Sequence, residues 1–233
     1  MKAHLAAALL LAVASPPGSG PLGAAALAAQ GVRDAQGKDA QAIVGRSSRV
    51  YRSLSSLTAD FVQVIDNPMI DSAESRGTLV QAGPANFAMR FTDPPGEAIV
   101  IDGQYVWVYT PSTVPGQVLR LRAPSGGPVY GYNLLAWFLD RPAERYEAKY
   151  LREEKVGGRT ADVIELTPAV PDLPFDRAVL WLDREDGLPR RLEIMEKSGA
   201  LRTLELSNLR VNRRIPDETF EFEVPPGTRV VDQ

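Results

Sequence analysis

The apolar positions change period near residue 57, which divides the chain into a helical opening and a long run of strands. Between Lys38 and Leu57, Ala42, Ile43, Val50, Tyr51, Leu54 and Leu57 recur near three- and four-residue spacing, with Arg46, Arg49 and Arg52 between them. That spacing predicts an amphipathic helix. The segment LTADFVQVID then alternates, placing Phe61 and Val62 on opposite faces of a partly solvated strand. Short β-branched and aromatic runs follow at Gly77–Gly83, Asn86–Thr92, Glu97–Gly103, Gln104–Thr110 and Gln117–Ala123, each bounded by Gly, Pro, Asn or Asp. Asp102-Gly103 between two of them predicts a type I′ hairpin, whose central residues both need positive φ. Connections this short favour antiparallel neighbours.

A second helical stretch interrupts the strands at Tyr130–Tyr146. Leu134, Leu135, Phe138 and Leu139 share one face, and Arg141-Pro142 marks its break. Five further strands follow, AKYLREEKV, TADVIELTPA, DRAVLWLDRE, PRRLEIMEKSG and LRTLELSNLRV, and FEFEVPPGTRVV closes the chain as a last extended segment. About 10–11 antiparallel strands and two apolar-faced helices predict a mainly β (α+β) fold. Its expected form is a strongly curved sheet or incomplete barrel with helices plugging the concave face.

The first residues read differently. Lys2 precedes an unbroken apolar run from Leu5 to Ala14, and Ala26 and Ala28 bracket an A-x-A cleavage site. The run is shorter than the roughly 20 residues a bilayer demands. Residues 1–28 are therefore expected to be a cleaved signal peptide, 29–37 a flexible mature N-terminus and 38–233 a single domain.

Composition narrows the chemistry. The chain has no cysteine, and its one histidine, His4, lies in the leader. Most hydrolytic triads, zinc-cysteine sites and thiolate nucleophiles are thereby excluded, and no metal or cofactor is expected. A net charge of −3 gives no footprint for nucleic acid, and the pairs Arg190-Arg191 and Arg213-Arg214 are read as interleaved with acids. Carboxylate pairs such as Glu153-Glu154 and Asp183/Glu185 suit a hydrolase of the glycosidase kind, but they fall among Arg and Lys on predicted solvent faces. Gly157-Gly158 reads as a hairpin turn. Within NFAMRFT, Phe87, Met89 and Phe91 share one face; the strand is either ordinary core or the lining of a soft apolar cavity. Trp107 and Tyr109 invite the same two readings.

Several segments in order resemble one known family. They are L-T-A-D-F-V-Q after an amphipathic helix, G-T-L-V-Q-A-G-P-A-N-F-A-M-R-F-T-D-P-P, I-V-I-D-G-Q-Y-V-W-V-Y-T-P and, at the end, P-D-E-T-F-E-F-E-V-P-P-G-T-R-V-V. Together they resemble the periplasmic outer-membrane lipoprotein carriers, the LolA-like family, over roughly Lys38 to Val231. The resemblance implies a half-barrel with a helical lid, a periplasmic location and no enzymatic activity. It also implies a monomer that takes acylated lipoprotein from an inner-membrane ABC-type exporter and delivers it to an outer-membrane receptor. The residues expected to line its lipid cavity are Phe61, Leu79, Phe87, Met89, Phe91, Ile99, Ile101, Trp107, Tyr109, Leu135 and Phe138. The same fold would also suit a lipid-sensing regulatory module or a carrier of another amphiphile. One position departs: where members carry an arginine that latches the lid, this chain has Gly83, before Pro84. Arg90 falls on the face opposite Phe87 and is not an obvious substitute. Lacking cysteine, the chain has no acylated N-terminal anchor, which favours a shuttle over an anchored receptor.

Overall fold

The computed structural model describes residues 38–124, 131–170 and 173–233. The leader and mature N-terminus expected at 1–28 and 29–37 lie outside the described residues. A helix α1 (Ala40–Ser53) opens the described chain, capped by Asp39, whose carboxylate accepts from the Ala42 N–H at 3.0 Å. Strands β1 (Ser56–Asn67), β2 (Ile70–Ala82), β3 (Asn86–Asp93), β4 (Ala98–Asp102), β5 (Tyr105–Tyr109) and β6 (Gln117–Arg122) form one half of the sheet. Two short helices follow, α2 (Leu134–Leu139) and α3 (Pro142–Arg145). They lead into β7 (Tyr146–Val156), β8 (Arg159–Pro168), β9 (Phe175–Asp183), β10 (Pro189–Glu196) and β11 (Leu201–Val211). A 3-10 turn (Asp217–Phe220) and a final strand β12 (Arg229–Asp232) close it.

All twelve strands belong to one curved, open sheet in the order β12-β6-β5-β4-β3-β2-β1-β11-β10-β9-β8-β7. The two halves join where β1 pairs with β11. The mainly β fold expected from alternation is the one observed, with three differences. The last strand is parallel to its neighbour β6, not antiparallel. The FEFEV segment lies outside it, crossing the outer face as an extended strap. The arm of β2 before Gly77 carries no alternation because Ser72, Ala73, Glu74 and Arg76 are all exposed. The hairpin at Asp102 also differs: Gly103 takes positive φ (88°) while Asp102 does not, so glycine serves as the first central residue. Asp102 instead accepts from the Gln104 and Tyr105 N–H groups at 2.8 and 2.6 Å. The turn with two positive-φ residues is Gly157-Gly158.

The main core lies on the concave face, between the sheet and the helices. There α2 is buried at all six of its positions, and Leu135, Phe138 and Leu139 are fully enclosed. A helix that is apolar all round is stable only where it is surrounded. Six residues are also too few to hold a helix by propensity, so packing and the Asn133 cap keep α2 in place.

Candidate functional site

The concavity is built by strict alternation on β1 to β6. Phe61 comes from β1, Leu79 from β2, Phe87 and Met89 from β3 and Ile101 from β4, and all are buried in the same cluster as Leu135 and Phe138 of α2. Phe91 and Ile99 are partly buried and pack against it. Gly77 makes this arrangement possible. A Cβ there would meet the Arg90 carbonyl oxygen at 2.1 Å and the Phe61 ring at 2.9 Å. With only hydrogen in that space, Phe61 and Phe91 meet edge-on with ring centroids 5.1 Å apart.

Trp107 and Tyr109 stand elsewhere. Ile101 pairs with Val106 across the β4–β5 hairpin, and directly opposed residues share a face, so Val106 and Val108 point inward. Trp107, opposite Val100, points out, donates from its indole N–H to Asp102 at 2.8 Å and stacks on Phe222 of the strap. Tyr109 meets Phe222 as well. Both faces of Y-V-W-V-Y are apolar, so alternation alone leaves the inward face open; counting from Ile101 across the hairpin resolves it. The second half of the sheet adds inward groups that the sequence reading did not name, among them Tyr146, Ile164, Leu166, Phe175 and Leu180.

Two sets of polar contacts tie the helices over this floor. Gln81, on β2, accepts through its side-chain oxygen from the Tyr51 hydroxyl of α1 at 2.6 Å and from the Asn133 amide at 3.0 Å. Its own amide donates to the Gly83 carbonyl at 3.2 Å, and Asn133 caps α2 by accepting from the Ala136 N–H at 3.1 Å. One side chain thus links α1, β2 and the start of α2. Burial keeps the Tyr51 phenol protonated, its pKa pushed well above the ordinary value. At the other end of α2, Arg145 and the Tyr146 hydroxyl donate to the Trp137 carbonyl at 2.9 and 2.8 Å. The Trp137 indole N–H is buried with no acceptor among the described residues, an unfavourable feature of the seated helix.

Beside the Gln81 contacts lies a cleft of about 240 Å³ between the end of α1, the β2–β3 turn and α2, walled by Tyr51, Leu54, Gln81, Gly83, Pro84 and Ala136, with Arg52 and Asp140 also lining it. Gly83 has φ of 62° and open space where a side chain would stand. Arg90 faces away from this region. It donates to the carbonyls of Thr219 and Glu221 at 3.1 and 2.9 Å and so fastens the strap to the outer face. A depression of about 540 Å³ on that outer face, lined by Arg90, Glu97, Tyr109, Glu218 and Phe222, is separate from the concavity.

No group of metal-ligating side chains occurs among the described residues. The concave site can bury apolar surface beneath a small helix, and both sets of polar contacts join the helices to one another and to the sheet.

A family model described as Outer membrane lipoprotein carrier protein LolA matches residues 52–223. An outer-membrane lipoprotein carrier protein of Halorhodospira halophila is 28% identical over 185 residues, covering 78% of this chain and 82% of that one. One from Alkalilimnicola ehrlichii is 29% identical over 187 residues, covering 79% and 81%. Among solved structures, an uncharacterized conserved protein from Thermus thermophilus aligns with a TM-score of 0.54 at 14% identity, over 84% of this chain and 100% of that one. The last is a likeness of fold alone.

Proposed function

The chain belongs to the outer membrane lipoprotein carrier protein LolA family, and we propose that it is a periplasmic carrier that buries the acyl chains of lipoproteins in its concave face. It takes them from an inner-membrane ABC-type exporter to an outer-membrane receptor. It acts as a monomer and performs no covalent chemistry.

The observation that carries this reading is the helix α2, six consecutive buried residues, Leu134–Leu139, laid against the inner face of the sheet. Its five large side chains gain about 1.5–3 kcal/mol each on burial. An acyl chain of about 16 carbons would lose on the order of 12 kcal/mol if left in water. The two are of the same order, so a chain can replace the helix against Phe61, Leu79, Phe87, Met89, Phe91, Ile99 and Ile101 at little net cost. Direction of transfer then follows from differences in affinity between partners. The lining of Phe and Met suits chains of variable shape.

Uptake of a fluorescent acyl probe by the purified mature protein tests the binding step. A folded protein that takes up none would sink it, as would equal uptake by a folded Met89→Glu variant. Depletion in the cell tests the transfer step: outer-membrane lipoproteins should accumulate in the inner membrane, and normal sorting would refute the shuttle.

A further inference from the structure

Arg213-Arg214 and Arg190-Arg191 look alike in sequence and differ in structure. Arg190 is buried between Asp183 and Asp186, and Arg191 is paired with Glu193 and with Glu205. Arg213 and Arg214 are exposed, and their side chains have no ion pair or hydrogen bond among the described residues. The same holds for Arg210 on β11 and for Arg49 and Arg52 on α1, one turn apart on one helix face. Arg46, a further turn back, is engaged: it donates to the carbonyls of Arg184 and Glu185.

Backbone contacts hold the Arg213-Arg214 segment against the start of β1, just beyond the end of α1. Asn212, with φ of 56°, accepts on its side chain from the Ser55 N–H at 2.9 Å, and its own N–H donates to the Ser56 carbonyl at 2.9 Å. The Ser56 hydroxyl donates to the Arg213 carbonyl at 2.6 Å and accepts from the Arg213 N–H at 2.8 Å. Arg52 stands four residues before Ser56, whereas Arg210, opposite Thr58 in the β1–β11 ladder, points to the outer face and lines a cleft with Asp60. The main chain is pinned while the charged ends remain in water. Like charges held near one another repel; Asp140, which shares a cleft with Arg52, is paired with Arg141 at 3.6 Å, and none of the guanidiniums of Arg49, Arg52, Arg213 and Arg214 makes an ion pair among the described residues.

We propose that Arg49, Arg52, Arg213 and Arg214 form a docking face for a carboxylate-rich surface of a partner protein. A guanidinium fork matches a carboxylate in two hydrogen bonds, and a fixed loop presents it in register. A membrane surface fits less well, because burial in lipid needs an apolar anchor beside the charge. The exposed large apolar residues Met69, Val114, Val170 and Val224 belong to other loops and to the strap. The face lies beside the cleft of Tyr51, Leu54 and Pro84, so a partner bound here would sit at the edge of the lid. The docking proposal does not depend on the carrier reading, since acyl uptake is measured separately.

The test uses the mature protein against poly-L-glutamate and, in parallel, vesicles of phosphatidylglycerol. Poly-L-glutamate should bind with an affinity that falls with salt and should shift the amide signals of residues 49–52 and 212–214. The double variant Arg213→Glu/Arg214→Glu should weaken binding about tenfold or more, with melting temperature and acyl-probe uptake unchanged. The control Arg152→Glu/Arg177→Glu, at exposed arginines of β7 and β9, should weaken it less than about twofold. Equal losses in the two doubles, shifts confined to other regions, binding to the vesicles alone, or no binding to either would each overturn the proposal.

Discussion

Strands β3 to β5 carry an apolar cluster on each face, and the two clusters are covered in different ways. On the inner face the cover is α2, held by the Gln81 contacts and by two donors to the Trp137 carbonyl. On the outer face Ala88, Ala98, Val100 and Trp107 are covered by the strap, with Phe220 and Phe222. That cover is anchored at both ends: Asn212 and Arg213 bond to Ser56, and β12 pairs with β6. Arg90 fastens its middle. A cover held at both ends and in its middle cannot lift without breaking sheet pairing, whereas α2 takes no part in that pairing. On the carrier reading proposed above, the same strands have one face for permanence and one for exchange.

The largest effects expected from this contrast are at Phe220 and Gly77. Phe220→Ala removes a buried ring from the fixed cover and should cost about 3–5 kcal/mol of global stability in denaturant unfolding. Acyl-probe uptake by the folded fraction should not change; a gain in uptake would mean that the outer face also accepts chains. Gly77→Ala places a methyl against the Arg90 carbonyl and the Phe61 ring, with no flexible atom to yield. It should cost about 3 kcal/mol and also reduce uptake, because the Phe61–Phe91 contact must separate. Wild-type uptake in that variant would show that this contact is not part of the floor.

The alternation of β1 and β3 was enough to show that Phe61, Phe87, Met89 and Phe91 share the inner face, because Asp60 on β1 and Asn86, Arg90 and Thr92 on β3 mark the opposite one. It failed at β5, where Tyr, Trp and Val are apolar on both sides, and the second core that makes both sides apolar comes from residues more than a hundred positions later. FEFEV alternates as a strand does, because an extended segment lying on a sheet buries every second residue just as a strand within it does. The first arm of β2 is invisible for the opposite reason: with water on both faces it needs no pattern. Gln81 could not be found at all, since its partners Tyr51 and Asn133 lie 30 and 52 residues away and a single glutamine between strands has no signature. The departure at Gly83 was legible, but what holds the helices without an arginine was not.

Gln81→Leu isolates that hold. The substitution keeps the bulk but leaves the Tyr51 hydroxyl and the Asn133 amide without their acceptor, a penalty of about 1–3 kcal/mol. The loss should be local to the covers of the inner face. Hydrogen exchange at the α2 amides, Ala136 foremost, should quicken, that of β3 and β4 should not, and the acyl probe should enter faster. Tyr51→Phe removes one of the two donors and should show the same pattern at about 1 kcal/mol. If both variants loosen the strap as much as α2, the two covers are not independent and the contrast drawn above is wrong.

The smallest effect is the sharpest test of face. The three tryptophans divide cleanly: Trp137 lies in α2 against Phe138 and Phe175, Trp107 lies under the strap, and Trp181 packs in a third cluster with Ala161, Val163 and Val179. A brominated acyl chain quenches indole only at contact distance, so a chain lying against the floor with the lifted α2 resting over it should quench Trp137 alone. The variant Trp107→Phe/Trp181→Phe should therefore retain all of the quenching, and Trp137→Phe should abolish it. Replacing Trp107 alone should leave uptake within about 0.5 kcal/mol of wild type, as for a residue remote from the bound chain. Quenching that follows Trp107 would place the chain on the outer face, and the strap, not α2, would be the part that moves.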